Sequence, residues 1–103
     1  TVTRLIEENR DRIVAACRRH RVARLDVFGS ALGDSFDPGR SDVDFLVTFE
    51  HMTPFERTDE YFALRRELES ILNVRADVVL DGAVRNRYVA AAIDRSRQQL
   101  YAA

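Results

Sequence analysis

Three short runs rich in β-branched and aromatic residues alternate with longer segments of helical periodicity, which limits the folds open to this chain. The runs are Val22 to Phe28, Asp42 to Phe49 and Val74 to Leu80. The helical segments are residues 2–19, 56–72 and 84–101. Short strands separated by amphipathic helices predict an α/β (α+β) fold, because the helices must cover the apolar face of the sheet. We expect one mixed sheet of three or four strands, with the helices packed on one side of it.

Length and composition limit the number of domains and the kinds of partner that this chain can have. The 103 residues suit a single domain, 1–103, and 46% apolar with 32% charged residues is ordinary for a globular protein. A net charge of −1 gives no basic surface, so nucleic acid is not an expected partner. No apolar run reaches the roughly 18 residues of a membrane span, and no signal segment is recognisable, so we expect no membrane association and a cytoplasmic location. The lone Cys17 falls on a helical apolar stripe and is expected to be buried.

Two aspartates, Asp42 and Asp44, stand at the start of the second predicted strand. Because side chains alternate along a strand, both carboxylates project from one face, about 6–7 Å apart, while Val43 and Phe45 point into the core. Neighbouring carboxylates repel each other and resist burial, and a divalent cation between them would offset that cost. Mg²⁺ prefers oxygen ligands and often binds one or two carboxylates together with substrate phosphates. The pair therefore predicts a magnesium site.

Asp77 supplies a third carboxylate, in the middle of the third predicted strand and on the face away from the core. If this strand pairs with the strand of Asp42, all three carboxylates converge. Such a cluster suits phosphoryl transfer with one or two Mg²⁺ ions, in which one ion lowers the pKa of an attacking hydroxyl and the other binds a triphosphate. Asp42, Asp44 and Asp77 are therefore the predicted metal ligands and the predicted catalytic residues.

Gly29 and Ser30 follow the first predicted strand and predict a phosphate-binding turn. Glycine lets the backbone approach a phosphate closely. Ser30 can cap a following short helix and present its hydroxyl and nearby N–H groups to an anion. Arg40 and Ser41, directly before the aspartates, either contact a phosphate as well or only shape the loop.

A strand, a Gly-Ser turn and an Asp-x-Asp strand, in this order, resemble the nucleotidyltransferases of the DNA polymerase β superfamily. The size and element order, over nearly the whole chain, resemble its minimal members, often encoded as antitoxins (MNT type). The resemblance implies that Gly29 and Ser30 grip phosphate, that Asp42 and Asp44 bind metal, and that Asp77 also helps to deprotonate the acceptor hydroxyl. Eleven residues separate Ser30 from Asp42, one more than the family's commonest spacing, and the extra residue falls in a loop.

The resemblance also implies an activity and a partner. The reaction would move a nucleoside monophosphate, AMP from ATP or the equivalent from another NTP, onto a hydroxyl, with Mg²⁺ required. Few residues follow the third strand to hold an acceptor, so we expect a partner to supply it, and the resemblance implies a tyrosine of a HEPN-domain toxin. We expect that partner to cover the start of segment 56–72 and the closing segment 84–101. Two alternatives stay open: a non-catalytic antitoxin that acts by binding, and a small-molecule nucleotidyltransferase that works as a homo-oligomer.

Overall fold

The computed structural model describes residues 2–29 and 42–103, which form four helices and four strands. These are α1 (Val2–Glu8), α2 (Arg10–Arg19), β1 (Val22–Phe28), β2 (Val43–Phe49), α3 (Pro54–Leu72), β3 (Ala76–Leu80), α4 (Arg87–Ser96) and β4 (Gln98–Ala102). One turn of 3₁₀ helix, Asp81–Ala83, directly follows β3. Among the described residues, no helix is long and apolar enough to cross a membrane. The mixed α+β architecture predicted from the sequence is confirmed.

The strands form one mixed sheet in the order β3-β2-β1-β4. β1 pairs antiparallel with β2 and with β4, whereas β2 and β3 are parallel. A parallel pair needs a long crossover, and α3 provides it. As a result, the first residues of β2 and β3 lie together at one end of the sheet, where the predicted acidic residues stand.

The main core lies between one face of the sheet and the helices α2 and α3. Alternate strand residues contribute to it: Leu25, Val27, Val43, Phe45, Val47, Ala76 and Val78. The helices add Ile13, Ala16, Cys17, Leu64, Leu68 and Ile71. Burial raises the pKa of the Cys17 thiol to about 12, so this cysteine is an unreactive core residue, as expected.

The predicted closing helix 84–101 is wrong after Ser96. The Asn86 side chain caps the start of α4, but the helix ends at Ser96 and the chain continues as β4. β4 covers the edge of β1 that would otherwise present unpaired backbone groups, and Leu100 joins the core. Residues 98–102 therefore form a strand despite their helical periodicity, because they pair with β1, which is far away in the chain.

The prediction that all helices pack on one side of the sheet is wrong, because α4 lies on the other side. Leu46 alternates with the core residues Phe45 and Val47, so it lies on the opposite face of the sheet. It is nevertheless buried, and it lines a cavity with Ile93 and Ala90 of α4. Helices therefore cover both faces, and α4 lies on the face that carries the aspartates.

Two helix boundaries differ from the sequence prediction for local reasons. Segment 2–19 is two helices, because the Asn9 side chain donates a hydrogen bond to the Leu5 carbonyl at 2.9 Å and the helix breaks there. The helix predicted from residue 56 begins at Pro54, where Thr53 and Glu56 form a capping box and proline occupies the first turn.

Side chains of α3 cover the outer edge of β3. Tyr61 donates a hydrogen bond to the Val78 carbonyl at 2.7 Å, and Arg65 donates to the Ala76 carbonyl at 3.1 Å. The Ala76 N–H donates to a Glu69 carboxylate oxygen at 3.0 Å. These three side chains are four residues apart on α3. They form hydrogen bonds with backbone groups of an edge strand that could otherwise pair with another chain.

Candidate active site

Asp44 and Asp77 lie directly opposite each other at the beginning of the parallel strands β2 and β3. Their neighbours Val43 and Ala76 are buried in the main core, so both carboxylates project from the other face. Asp44 is half-buried and Asp77 is exposed. The adjacency expected between these two strands is observed, while the roles of the aspartates remain a prediction.

The surroundings of Asp44 disfavour its negative charge. Burial raises the pKa of the Asp44 carboxyl, and the nearby charges of Asp77 and Asp42 raise it further. A cation close to the carboxylate would offset these effects, because it stabilises the charged form. The predicted donor set, the carboxylates of Asp42, Asp44 and Asp77, fits a hard divalent cation such as Mg²⁺ in its chemistry.

Asp42 is turned toward an arginine. It lies one residue before β2, and its Oδ1 is 3.0 Å from Nε of Arg75, which lies one residue before β3. Over residues 2–29 and 42–103, no three acidic, histidine or cysteine side chains are arranged to hold a metal ion together. Of the expected three-carboxylate cluster, the structure therefore shows the pair of Asp44 and Asp77, with Asp42 close enough to act on Asp44 but bound to Arg75.

Gly29 brings the backbone after β1 against this carboxylate pair. Its φ of +86° lies in the left-handed region, and a Cβ at this position would lie 2.8 Å from Asp44 Oδ2. Phe28, the preceding residue, pairs with Asp44 across β1 and β2. Glycine is therefore required both by the backbone conformation and by the space available.

We expect Gly29→Ala to lower the free energy of unfolding by about 1–2 kcal/mol, since alanine disfavours positive φ and its methyl group would displace Asp44. Urea denaturation followed by circular dichroism measures this. Gly82→Ala is the matched control, because a Cβ there meets nothing within 4 Å. An equal loss in both variants would contradict a special constraint at Gly29.

The other predicted phosphate contacts, Ser30, Arg40 and Ser41, lie outside the described residues. They therefore remain predictions.

Sequence reasoning missed an ion-pair cluster beside the site. Asp26 is fully buried in β1, its Oδ1 is 3.1 Å from Arg24 Nε, and its Oδ2 accepts from the Arg97 guanidinium. The available signal was a carboxylate between Leu25 and Val27 in an otherwise apolar strand. Such a residue is expected to face either solvent or a buried partner, and only the fold identifies Arg97 as that partner.

Comparison with known proteins is consistent with this geometry. The family description "Nucleotidyltransferase domain" matches residues 10–99. A candidate protein adenylyltransferase of Methanocaldococcus jannaschii is 30% identical over 78 residues, which cover 74% of this chain and 74% of that protein.

Solved structures show the same fold. A candidate minimal nucleotidyltransferase superposes with a TM-score of 0.71 and 30% identity over 90% of both chains. A structure of tri-AMPylated Shewanella oneidensis HEPN toxin in complex with MNT antitoxin contains a chain with a TM-score of 0.61 and 19% identity, over 94% of this chain and 72% of that one. The chain described here therefore belongs to the nucleotidyltransferase domain family and has the fold of the minimal nucleotidyltransferases of the DNA polymerase β superfamily.

Proposed function

We propose that this nucleotidyltransferase moves AMP from ATP onto a hydroxyl of a partner protein, and that Asp42, Asp44 and Asp77 hold the Mg²⁺ it requires. The observation that carries the proposal is the register pair of Asp44 and Asp77 against the Gly29 turn. The similarity to a candidate protein adenylyltransferase supports a protein as the acceptor.

The three aspartates would have different tasks. Asp44, half-buried and with a raised pKa, is the carboxylate that gains most from a cation. Asp42 would join Asp44 by leaving Arg75 and binding the metal. The Asp42 and Arg75 side chains are 48% and 65% exposed, and an exposed ion pair costs little to break. When bound, Mg²⁺ would neutralise the triphosphate and lower the pKa of the acceptor hydroxyl.

Asp77 is the exposed member of the pair and is best placed to meet an acceptor. In the proposed step the acceptor oxygen attacks the α-phosphorus of ATP, the bond from that phosphorus to the bridging oxygen breaks, and pyrophosphate leaves. The hydroxyl proton passes to the Asp77 carboxylate. Gly29, and Ser30 by resemblance, would hold the phosphates in line for this displacement.

The proposed partner is a HEPN-domain toxin, with a tyrosine hydroxyl as the acceptor. The solved complex of an AMPylated HEPN toxin with an MNT antitoxin supports a HEPN toxin as the partner, since its antitoxin belongs to the minimal class that this chain resembles. Exposed apolar residues support the expected docking surface: Phe55 and Phe62 on α3 are 88% and 47% exposed, and Tyr88 on α4 is 72% exposed. Tyr61 is different, because it packs against the core and bonds to β3.

We expect the wild type, co-purified with its toxin and given ATP and Mg²⁺, to add one or more AMP groups to the toxin by intact-mass spectrometry. Asp42→Ala should add none, because the metal site loses a ligand. Asp11→Ala, which removes an exposed aspartate at the start of α2, is the control and should match the wild type.

The same assay separates the alternatives. Equal neutralisation of the toxin by the wild type and Asp42→Ala, with no mass change in either, would establish an antitoxin that acts by binding alone. Nucleotide transfer to a small molecule without any toxin would favour the homo-oligomeric enzyme instead.

A further inference from the structure

Two consecutive residues at the end of α4 connect it to β1, one by a hydrogen bond and one by an ion pair. Ser96, the last residue of α4, accepts a hydrogen bond at Oγ from the Gly29 N–H at 3.1 Å. Arg97, the next residue, pairs with the buried carboxylate of Asp26, three residues before Gly29. Thus α4, which lies on the face of the sheet that carries the aspartates, is bonded to Gly29, the residue next to Asp44.

The Asp26–Arg97 contact joins α4 to β1 at this point. Both Nε and Nη2 of Arg97 lie at Asp26 Oδ2, and Arg97 Nη1 also lies 3.2 Å from Asp94 Oδ1. A carboxylate with no exposed surface needs such partners, so the position of Arg97 is tightly constrained. Because Ser96 precedes Arg97 directly, its position is constrained as well.

The orientation of the Ser96 hydroxyl is defined by its own helix. Its Oγ lies 3.3 Å from the Ala92 carbonyl and 3.5 Å from the Ile93 carbonyl, so its proton is donated toward the helix. A lone pair is then left to accept from the Gly29 N–H, which lies 3.1 Å from Oγ. Ser96 in this way holds the N–H of the peptide between Phe28 and Gly29, at the point where β1 ends.

We propose that Ser96 and Arg97 are positioning residues for nucleotide binding: through them α4 holds the Gly29 turn in the geometry that receives the phosphates. This inference rests on the proposed role of Gly29 in phosphate binding. Neither side chain need touch the nucleotide, so their effect should fall on nucleotide affinity and much less on the rate of transfer at saturation.

The test uses Ser96→Ala, Ser96→Thr and the control Ser70→Ala, which changes an exposed serine of α3. Amide hydrogen exchange of Gly29 by NMR reports the hydrogen bond, and titration with a non-hydrolysable ATP analogue and Mg²⁺ reports affinity. We expect Ser96→Ala to speed Gly29 exchange and weaken binding by about 3- to 10-fold, the size of one lost hydrogen bond. Ser96→Thr keeps the hydroxyl and should stay within about 2-fold of the wild type, as should Ser70→Ala.

The outcomes are distinct. Unchanged Gly29 exchange and unchanged affinity in Ser96→Ala would overturn the inference, and so would a loss of affinity that Ser96→Thr shares in full. If the wild type binds no nucleotide, the proposed function fails. Gly29 exchange then decides alone: faster exchange in Ser96→Ala upholds the positioning of the turn, and unchanged exchange overturns it.

Discussion

Replacing Arg97 with alanine should lower the free energy of unfolding by about 3–5 kcal/mol, because it leaves the fully buried Asp26 carboxylate without its main partner. A domain of this size is stable by only about 5–15 kcal/mol, so the variant should unfold at a much lower urea concentration. Arg24 remains at 3.1 Å but is 46% exposed, so solvent weakens its compensation. Urea denaturation by circular dichroism measures the change.

Two further variants identify the cause. Arg95→Ala removes an exposed arginine near the end of α4, two residues before Arg97, and should change stability by less than about 0.5 kcal/mol. Asp26→Val combined with Arg97→Met removes both charges and should recover most of the stability lost in Arg97→Ala, since apolar replacements of a buried ion pair are often tolerated. If the double variant is as unstable as Arg97→Ala, the lone buried charge is not the reason for the loss.

Asp44→Asn should reduce AMP transfer by at least about 1,000-fold while leaving the metal-free protein as stable as the wild type or more so. In the proposed site Asp44 is a metal ligand, and an amide there would be a much weaker ligand than the carboxylate. The stability does not fall because the substitution removes a charge that burial, Asp77 and Asp42 all disfavour. We expect a gain of up to about 1 kcal/mol at neutral pH.

The pH dependence of that gain follows from the raised pKa of Asp44. A carboxyl with a higher pKa in the folded state binds protons more tightly when folded, so its penalty develops as pH rises through the folded pKa. The gain in Asp44→Asn should therefore be present at pH 7 and disappear at low pH, where the carboxyl is protonated in both states. Asp11→Asn is the control. A strong loss of metal-free stability in Asp44→Asn would show that Asp44 has a structural role.

Local sequence patterns were sufficient to predict the first three strands and the positions of Asp44 and Asp77 on two of them. Period-two alternation placed Asp44 and Asp77 on the face opposite the core, and the structure confirms that placement. The Gly-Ser turn and the Asp-x-Asp strand led to the nucleotidyltransferase family, which the comparisons confirm. These predictions worked because alternation of side chains and the conformational freedom of glycine are properties of a few adjacent residues.

The tertiary structure decided the features that depend on residues far apart in the chain. Gln98–Ala102 has a helical pattern and yet forms β4, because pairing with β1 satisfies backbone groups that no local signal reveals. The partner of Asp26 lies 71 residues away, and the hydroxyl that accepts from Gly29 lies 67 residues away. Asp42 binds Arg75, across the start of two strands that only the fold places side by side. The sequence by itself thus determined the family and the face on which Asp44 and Asp77 lie, and the tertiary structure decided which distant residues pack and bond around them.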